Sequence, residues 1–443
     1  MEKIQRLMEN KSYKEFREIC TELNEADMAS LLEKLDEDER LKFFRILPKD
    51  MAADVFAYLP IDVQQNLILK FSLGEAARII EDLDVDDAAD LMDEMPANVV
   101  TKLLANTSAE TRSTINQLLK YPDDSAGSLM TTEYEALKQN LTVEQALDKI
   151  RRDGIDKETV NNCYVLDPQR RLIGTVTLRQ IIFSNADQLI GDIMEERVIS
   201  VSTLTDQEEV AREIQKYDFN AMPVVDSEGR MVGIITIDDI IDILQQEATE
   251  DIEKMAAISP SDMPYLKTGV FETWKKRIPW LLLLMISATF TGMIISHYEE
   301  ALGAYIVLTS FIPMLMDTGG NAGSQASVSI IRALSLDELE FKDIGKTIWK
   351  EIRVAVLIGI TLAVANFGKL LLIDRVSVSI AAVVCLTLVV TVFVAKFVGC
   401  TLPMLAKRIG FDPAVMASPF ITTIVDALSL MIYFSFATAL LGI

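Results

Sequence analysis

The sequence predicts a multidomain protein: an α-superhelical N-domain, a duplicated α/β unit, an acidic connecting helix and an all-α membrane domain of five spans. Three observations carry this. Charge divides the 443 residues: positions 1–272 hold 29 Lys and Arg against 55 Asp and Glu, a balance of −26, and positions 273–443 hold 13 against 11, a balance of +2. A twelve-residue spacing runs through the first hundred residues, and a strand–turn–strand–helix pattern recurs 59 positions later. The length exceeds one ordinary domain, and the boundaries fall at 1–128, 129–193, 194–248, 249–272 and 273–443.

The twelve-residue spacing sets Asp36, Pro48, Pro60, Ser72, Asp84, Pro96 and Ser108 in register, each behind Leu35, Leu47, Leu59, Phe71, Leu83, Met95 or Thr107. Pro, Asp and Ser start helices, and the apolar residue before each serves as a staple. Helical faces such as AADVFAYL lie between them, so short helices stack into a superhelix over 1–128. The stretch from Glu81 to Glu94 carries eight acids in fourteen residues. Such a run is ordinarily a solvated face. Asp86 and Asp90, four apart, nevertheless share one face, the spacing at which two carboxylates meet one cation.

The duplicated unit covers 129–248. NCYVLDPQRRLIGTVTLRQII (162–182) parallels MPVVDSEGRMVGIITIDDII (222–241), and Asp167, Gly174, Thr177 and Gln180 recur as Asp226, Gly233, Thr236 and Asp239. The pattern looks like a tandem CBS pair, a cytosolic regulatory module. Such pairs often bind adenosine nucleotides, although no residue here compels that. The connecting segment that follows is loaded with Asp239, Asp242, Glu247, Glu250, Asp251 and Glu253. Composition alone leaves it equally a solvated amphipathic connector.

Five stretches in the last part, 279–297, 303–334, 352–373, 380–406 and 417–441, are long enough to cross a bilayer. Lys275, Lys276 and Arg277 precede the first, Glu299 and Glu300 follow it, and Lys342, Lys346, Lys350, Arg353, Lys407 and Arg408 lie in the alternate loops. These bases predict a cytosolic acidic half and an outside C-terminus. Within the last span Asp426 is the only charge. A carboxylate there costs a few kcal/mol unless it faces a partner or a wet cavity, which puts it on a cation path. The second span holds PMLMDTGGNAGSQAS, Pro313 to Ser327. Its glycines permit close helix packing, while Asn321, Ser324, Gln325, Ser327 and the acid Asp317 must face protein or water. Tight packing, a pore wall and a locally unwound ion site all fit this composition. Lys396, inside the fourth span, either snorkels or pairs with an acid and is read as structural.

Several classes are disfavoured. An acidic half of this size repels nucleic acid and suits divalent cations, for which carboxylates are hard oxygen ligands. The start, MEKIQRLMENKSYKEF, has no apolar core of signal-peptide length, which leaves the N-terminus in the cytosol. Cys20, Cys163, Cys385 and Cys400 show no CxxC spacing, so neither a zinc site nor a disulfide framework is expected. The single histidine, His297, ends a span. Without a nucleophile–base pair, a cofactor fingerprint or a P-loop, the chain does not read as an enzyme.

Over nearly its whole length the chain resembles the MgtE magnesium channel/transporter family. The motifs are YPDDSAGSLMT (121–131), DQEEVAREIQKYDF, DDIIDILQQEATEDI, TGGNAGSQ and SPFITTIVDALS. The resemblance implies a homodimer in the bacterial inner (plasma) membrane, a multi-pass protein with its large N-terminal part cytoplasmic and an ion pore between two membrane domains. It implies that Mg²⁺ is both transported and regulatory. Asp426 matches the family's pore aspartate, and Asn321 and Gln325 fall in its second-span motif. It also implies that cytosolic Mg²⁺ bridges the N-domain, CBS units and the connecting helix, called a plug, through Asp86, Asp90, Glu208, Asp218, Asp239, Asp242, Glu247, Glu250 and Asp251. Lys396 departs from the family, which carries a polar neutral residue there. Two rivals stay open: an ion-coupled carrier of another divalent cation such as Co²⁺, and a membrane-anchored CBS sensor without transport.

Overall fold

The computed structural model describes residues 23–49, 51–261, 263, 265–298, 303 and 305–442, apart from the side chains of Asp156 and Ser418. Cys20, Glu299 and Glu300 lie outside the described residues. The chain forms two compact units, one up to Leu244 and one from Gln245.

Among its described residues the first unit has eight short helices before the duplicated part: α1 (Glu25–Glu33), α2 (Glu37–Phe44), α3 (Ala52–Ala57), α4 (Ile61–Lys70), α5 (Leu73–Asp82), α6 (Val85–Asp93), α7 (Ala97–Leu104) and α8 (Ala109–Leu118). The twelve-residue period is a capping period. Asp36, Pro60, Ser72, Asp84, Pro96 and Ser108 are N-caps, and the side chains of Asp36, Ser72 and Ser108 accept backbone N–H bonds. Asn24, one step before the first predicted cap, does the same for α1. Pro48 is the exception: it begins a turn closed by Met51 N–H donating to its carbonyl, and α3 starts after Met51. The staples Leu47, Leu59, Leu83 and Met95 are buried in one core that continues into the second CBS-like repeat through Met222, Val224 and Ile235.

After α9 (Ala126–Leu129) each repeat builds a three-stranded sheet. The first joins β1 (Tyr134–Leu137), α10 (Val143–Asp153), β2 (Thr159–Leu166), β3 (Leu172–Thr177) and α11 (Leu178–Phe183). After α12 (Ile190–Ile193) the second joins β4 (Val201–Ser202), α13 (Gln207–Tyr217), β5 (Ala221–Val225), β6 (Met231–Thr236) and α14 (Ile237–Met255). In both, the first strand pairs parallel with the second and the second antiparallel with the third. The first two recurring pairs are structural. Asp167 accepts from the N–H groups of Gln169 and Arg171, and Asp226 from those of Glu228 and Arg230, fixing the two turns. Gly233 lets β6 approach the neighbouring chain: a Cβ there would stand 2.6 Å from the Thr131 carbonyl oxygen.

The connecting helix differs from expectation. α14 begins inside the second repeat and ends at Met255, so 249–272 holds its last turns, an irregular stretch and the first residues of the next helix. Ala257 takes a left-handed φ of 55°, and Pro260 follows, which together stop the helix.

The second unit contains the end of α14 and five long helices: α15 (Val270–His297), α16 (Ile312–Ser335), α17 (Ile344–Leu372), α18 (Val378–Arg408) and α19 (Ser418–Leu441). Among the described residues four, α15, α17, α18 and α19, are apolar and long enough to cross a membrane. α16 has 24 residues but carries the polar motif, which lowers its apolar character. That motif is regular helix throughout, not unwound. Cys163, Cys385 and Cys400 are buried free thiols.

Candidate functional site

Two places gather unpaired acids, one in each unit. In the first, Asp84 caps α6, whose opening turns carry Asp86, Asp87 and Asp90. The fold brings to them Glu158, at the entry to β2, and Asp238 and Asp239, in the first turn of α14. Asp239 is held by Thr236, whose hydroxyl donates to its Oδ2 at 2.6 Å. Asp86 Oδ1 is sealed from solvent and has no hydrogen-bond partner. Burial, then repulsion from Asp239 and Asp87, pushes the Asp86 carboxyl well above the usual range. Burial and neighbouring carboxylates push Asp87 up to about 6 and Asp90 up to about 7, and Glu158 likewise up to about 7. Asp84 and Asp239 are also raised, first by burial. Among the described residues the charges that act most strongly on these groups are all carboxylates.

A cluster of mutually repelling oxygens without a base fits a hard divalent cation. Among the described residues no three His, Cys, Asp or Glu side chains close on one point as direct ligands. Mg²⁺ suits that looseness, because it keeps several waters and uses one or two carboxylates. Asp86 and Asp90, paired by their spacing, and Asp239, named through the family resemblance, lie within electrostatic reach of one another. Asp87, Glu158 and Asp238 were missed. Asp87 lies in the acid run and could have been included, whereas nothing local marks Glu158.

Of the remaining predicted acids, Asp242 reaches the cluster through its charge on Asp239, and the others lie elsewhere. Glu208 and Asp218 sit at opposite ends of α13, about 15 Å apart along its axis. Glu208 faces Arg212 at 3.7 Å. Asp242 is exposed. Glu247, Glu250 and Asp251 belong to the second unit, where the end of α14 meets the long helices. Ser335 Oγ donates to Asp251 at 3.4 Å, and Met255 packs with Ile331, Ala414 and Ala417. Lys254 bridges Glu250 and Asp412, the latter at 2.8 Å. Asp412 caps the turn leading into α19. Burial, then the nearby Asp412, raises the Asp251 carboxyl.

The second place lies between α16 and α19. Asp426 Oδ1 is sealed from solvent and has no hydrogen-bond partner. Asp317, Asn321 and Gln325, four apart, form an exposed stripe along α16. The opposite side of α16 is the glycine side. A Cβ on Gly320 would stand 2.8 Å from Thr422 Cγ2, and one on Gly323 would stand 2.8 Å from Ile421 Cγ2. The glycines therefore bring α16 against α19, and the polar stripe stays open. Thr391 Oγ1, on α18, is a further buried hydroxyl without a partner. Lys396 points elsewhere: it is buried and pairs with Glu351 of α17 at 3.6 Å.

Comparison with known proteins agrees with this layout. A family described as a divalent cation transporter matches residues 312–436, the MgtE intracellular N domain matches 23–124, and CBS domains match 126–186 and 190–246. The chain is 37% identical to the magnesium transporter MgtE of Thermus thermophilus, over 99% of this chain and 98% of that protein. It is 34% identical to that of Bacillus subtilis, over 98% and 95%. A solved soluble part of a magnesium transporter is 34% identical, covers 55% of this chain and 96% of its own, and superposes with a TM-score of 0.53. The cytosolic domain of the Mg²⁺ channel MgtE in complex with ATP is 36% identical, covers 54% and 98%, and gives 0.52. Matches to inosine-5'-monophosphate dehydrogenases cover between 21% and 44% of the chain and concern the CBS repeats, not an enzyme domain. The chain belongs to the MgtE family of divalent cation transporters.

Proposed function

We propose that this chain conducts Mg²⁺ across the bacterial inner membrane as a homodimer, with five spans per chain and the acidic half in the cytosol. The observation that carries this is Asp426, a carboxylate with a sealed, unpartnered oxygen in an apolar helix beside an exposed polar stripe. Two copies of that face against each other would make a wet path lined by Asp426, Asn321 and Gln325. The full-length likeness to transporters named for magnesium supports the choice of ion. A membrane potential of 100 mV favours entry of the divalent ion by about 4.6 kcal/mol, so no ATP hydrolysis is required.

In the same reading internal Mg²⁺ closes the path. Ions neutralise the cluster of Asp86, Asp90 and Asp239 and draw its elements together, while α14 serves as the plug helix that carries this to the long helices. Glu208, Asp218, Asp242, Glu247, Glu250 and Asp251 contribute secondary cation sites. An adenosine nucleotide at the CBS pair tunes the same equilibrium, supported by the ATP complex of a relative's cytosolic domain.

The test is voltage-clamped Mg²⁺ flux through purified protein in liposomes. Wild type passes Mg²⁺ and shuts as internal Mg²⁺ rises, and Asp426→Ala loses the flux while remaining folded. Wild-type flux in Asp426→Ala would remove that residue from the path. No flux from folded wild type would favour an anchored sensor.

A further inference from the structure

One acid of the membrane unit is left unused by this account. Asp317 stands on α16 one turn before Asn321, exposed, and no ion pair with it occurs among the described residues. The packing of α16 on α19 fixes its level. Ser327 Oγ donates to the Met416 carbonyl at 3.2 Å, and Cβ atoms on Gly323, Gly320 and Gly319 would touch Ile421, Thr422 and Val425 respectively. The matched positions fall on α16 as they rise on α19, so the two helices run antiparallel. The Cβ of Gly319 would also lie 2.9 Å from Ser429 Oγ. Positions 425–429 of α19 therefore lie beside 317–319 of α16. Asp317 and Asp426 therefore share one layer.

Among the described residues that layer has no fixed cation. Lys396 is taken by Glu351, and Arg332 lies about 22 Å along α16 from Asp317. Two carboxylates at this depth cannot both stay ionised against lipid without a counter-charge. We propose that Asp317 and Asp426 form one two-carboxylate subsite for a hydrated divalent cation, and that Asp317 is a specificity-determining residue for transport. This rests on the transport reading above. In the dimer each chain contributes two such charges, so each chain's pair matches one divalent ion, whereas a monovalent ion leaves that pair at −1. Asn321 and Gln325 then follow at steps of about 6 Å along the same face and accept or donate to the ion's waters.

The experiment uses full-length protein in liposomes and measures Mg²⁺ and Na⁺ currents at fixed voltage with low internal Mg²⁺. Asp317→Asn should raise the half-saturating Mg²⁺ concentration at least tenfold and lower the preference for Mg²⁺ over Na⁺, and Asp317→Glu should recover both. Wild-type saturation and ion preference in Asp317→Asn would overturn the proposal and leave Asp426 and the transport reading standing. Absence of Mg²⁺ current in wild type would instead fell the transport reading itself. Where Asp317→Asn does not fold, Asp317→Cys treated with charged thiosulfonates gives the answer. A negative adduct should restore Mg²⁺ preference and a positive one suppress the current; equal effects of the two would refute a charge role.

Discussion

Mg²⁺ binding to the cytosolic cluster should release protons, in an amount set by the shifted carboxyls. Asp87 titrates near 6, and Asp90 and Glu158 near 7. At pH 6.5 these three hold about 1.8 protons in metal-free protein, and at pH 8.0 about 0.2. If the ion needs all three ionised, linkage makes apparent Mg²⁺ affinity about 20-fold tighter at pH 8.0 than at pH 6.5. The groups interact, so the values describe the cluster and not each residue alone. The same shifts fix the sign for stability. The folded carboxyls titrate above their unfolded values, so their contribution is full below about pH 4 and is lost as pH rises through 6 to 7. Metal-free protein should therefore melt lower at pH 8 than at pH 5.5, and Mg²⁺ should restore the loss. The assay is titration calorimetry of full-length protein in two buffers of different ionisation enthalpy, at both pH values. Equal proton release and equal affinity at pH 6.5 and 8.0 would refute the claim that these clustered acids receive the ion.

The other expectations are simpler. Asp86→Asn with Asp90→Asn should raise the internal Mg²⁺ needed to halt flux, read against the variant's own flux at low Mg²⁺; an unchanged threshold would remove these residues from the gate. Lys396→Met should lower the melting temperature, because it strands Glu351 as a buried charge, at a cost of about 3–5 kcal/mol. Adding Glu351→Met should recover most of that, and failure to recover would show that the pair does more than neutralise itself. Gly399→Ala should destabilise by about 1–3 kcal/mol, since its Cβ would strike the Gly323 carbonyl oxygen where α18 meets α16. A melting temperature equal to wild type would show that this contact relaxes freely.

What could be read from the chain was what local chemistry writes into it. A period of twelve reports helix caps, and it failed only where Pro48 closes a turn before α3 rather than capping it. The repeat at 59 residues reports paired turns, because each Asp bonds backbone N–H groups two and four positions on. The extent of α14 was misjudged, because a helix inside a repeat and a helix leaving it have the same pattern. Long-range partners were invisible: Glu158 reaches the acids of α6 only through the sheet, and Glu351 reaches Lys396 only when α17 lies against α18.

The same reasoning explains why a count of acids overstates the binding sites. Glu250 and Asp86 are both carboxylates in acidic helices, equivalent by composition. Glu250 already has Lys254 beside it, and that lysine also holds Asp412. Asp86 has only other acids around it and an oxygen with no hydrogen bond. A free cation gains most where no tethered one stands, because binding there removes repulsion without displacing an existing pair. On the proposed function the α6 cluster should therefore respond first as internal Mg²⁺ rises, and the Glu250 end of α14 only after Lys254 has been displaced.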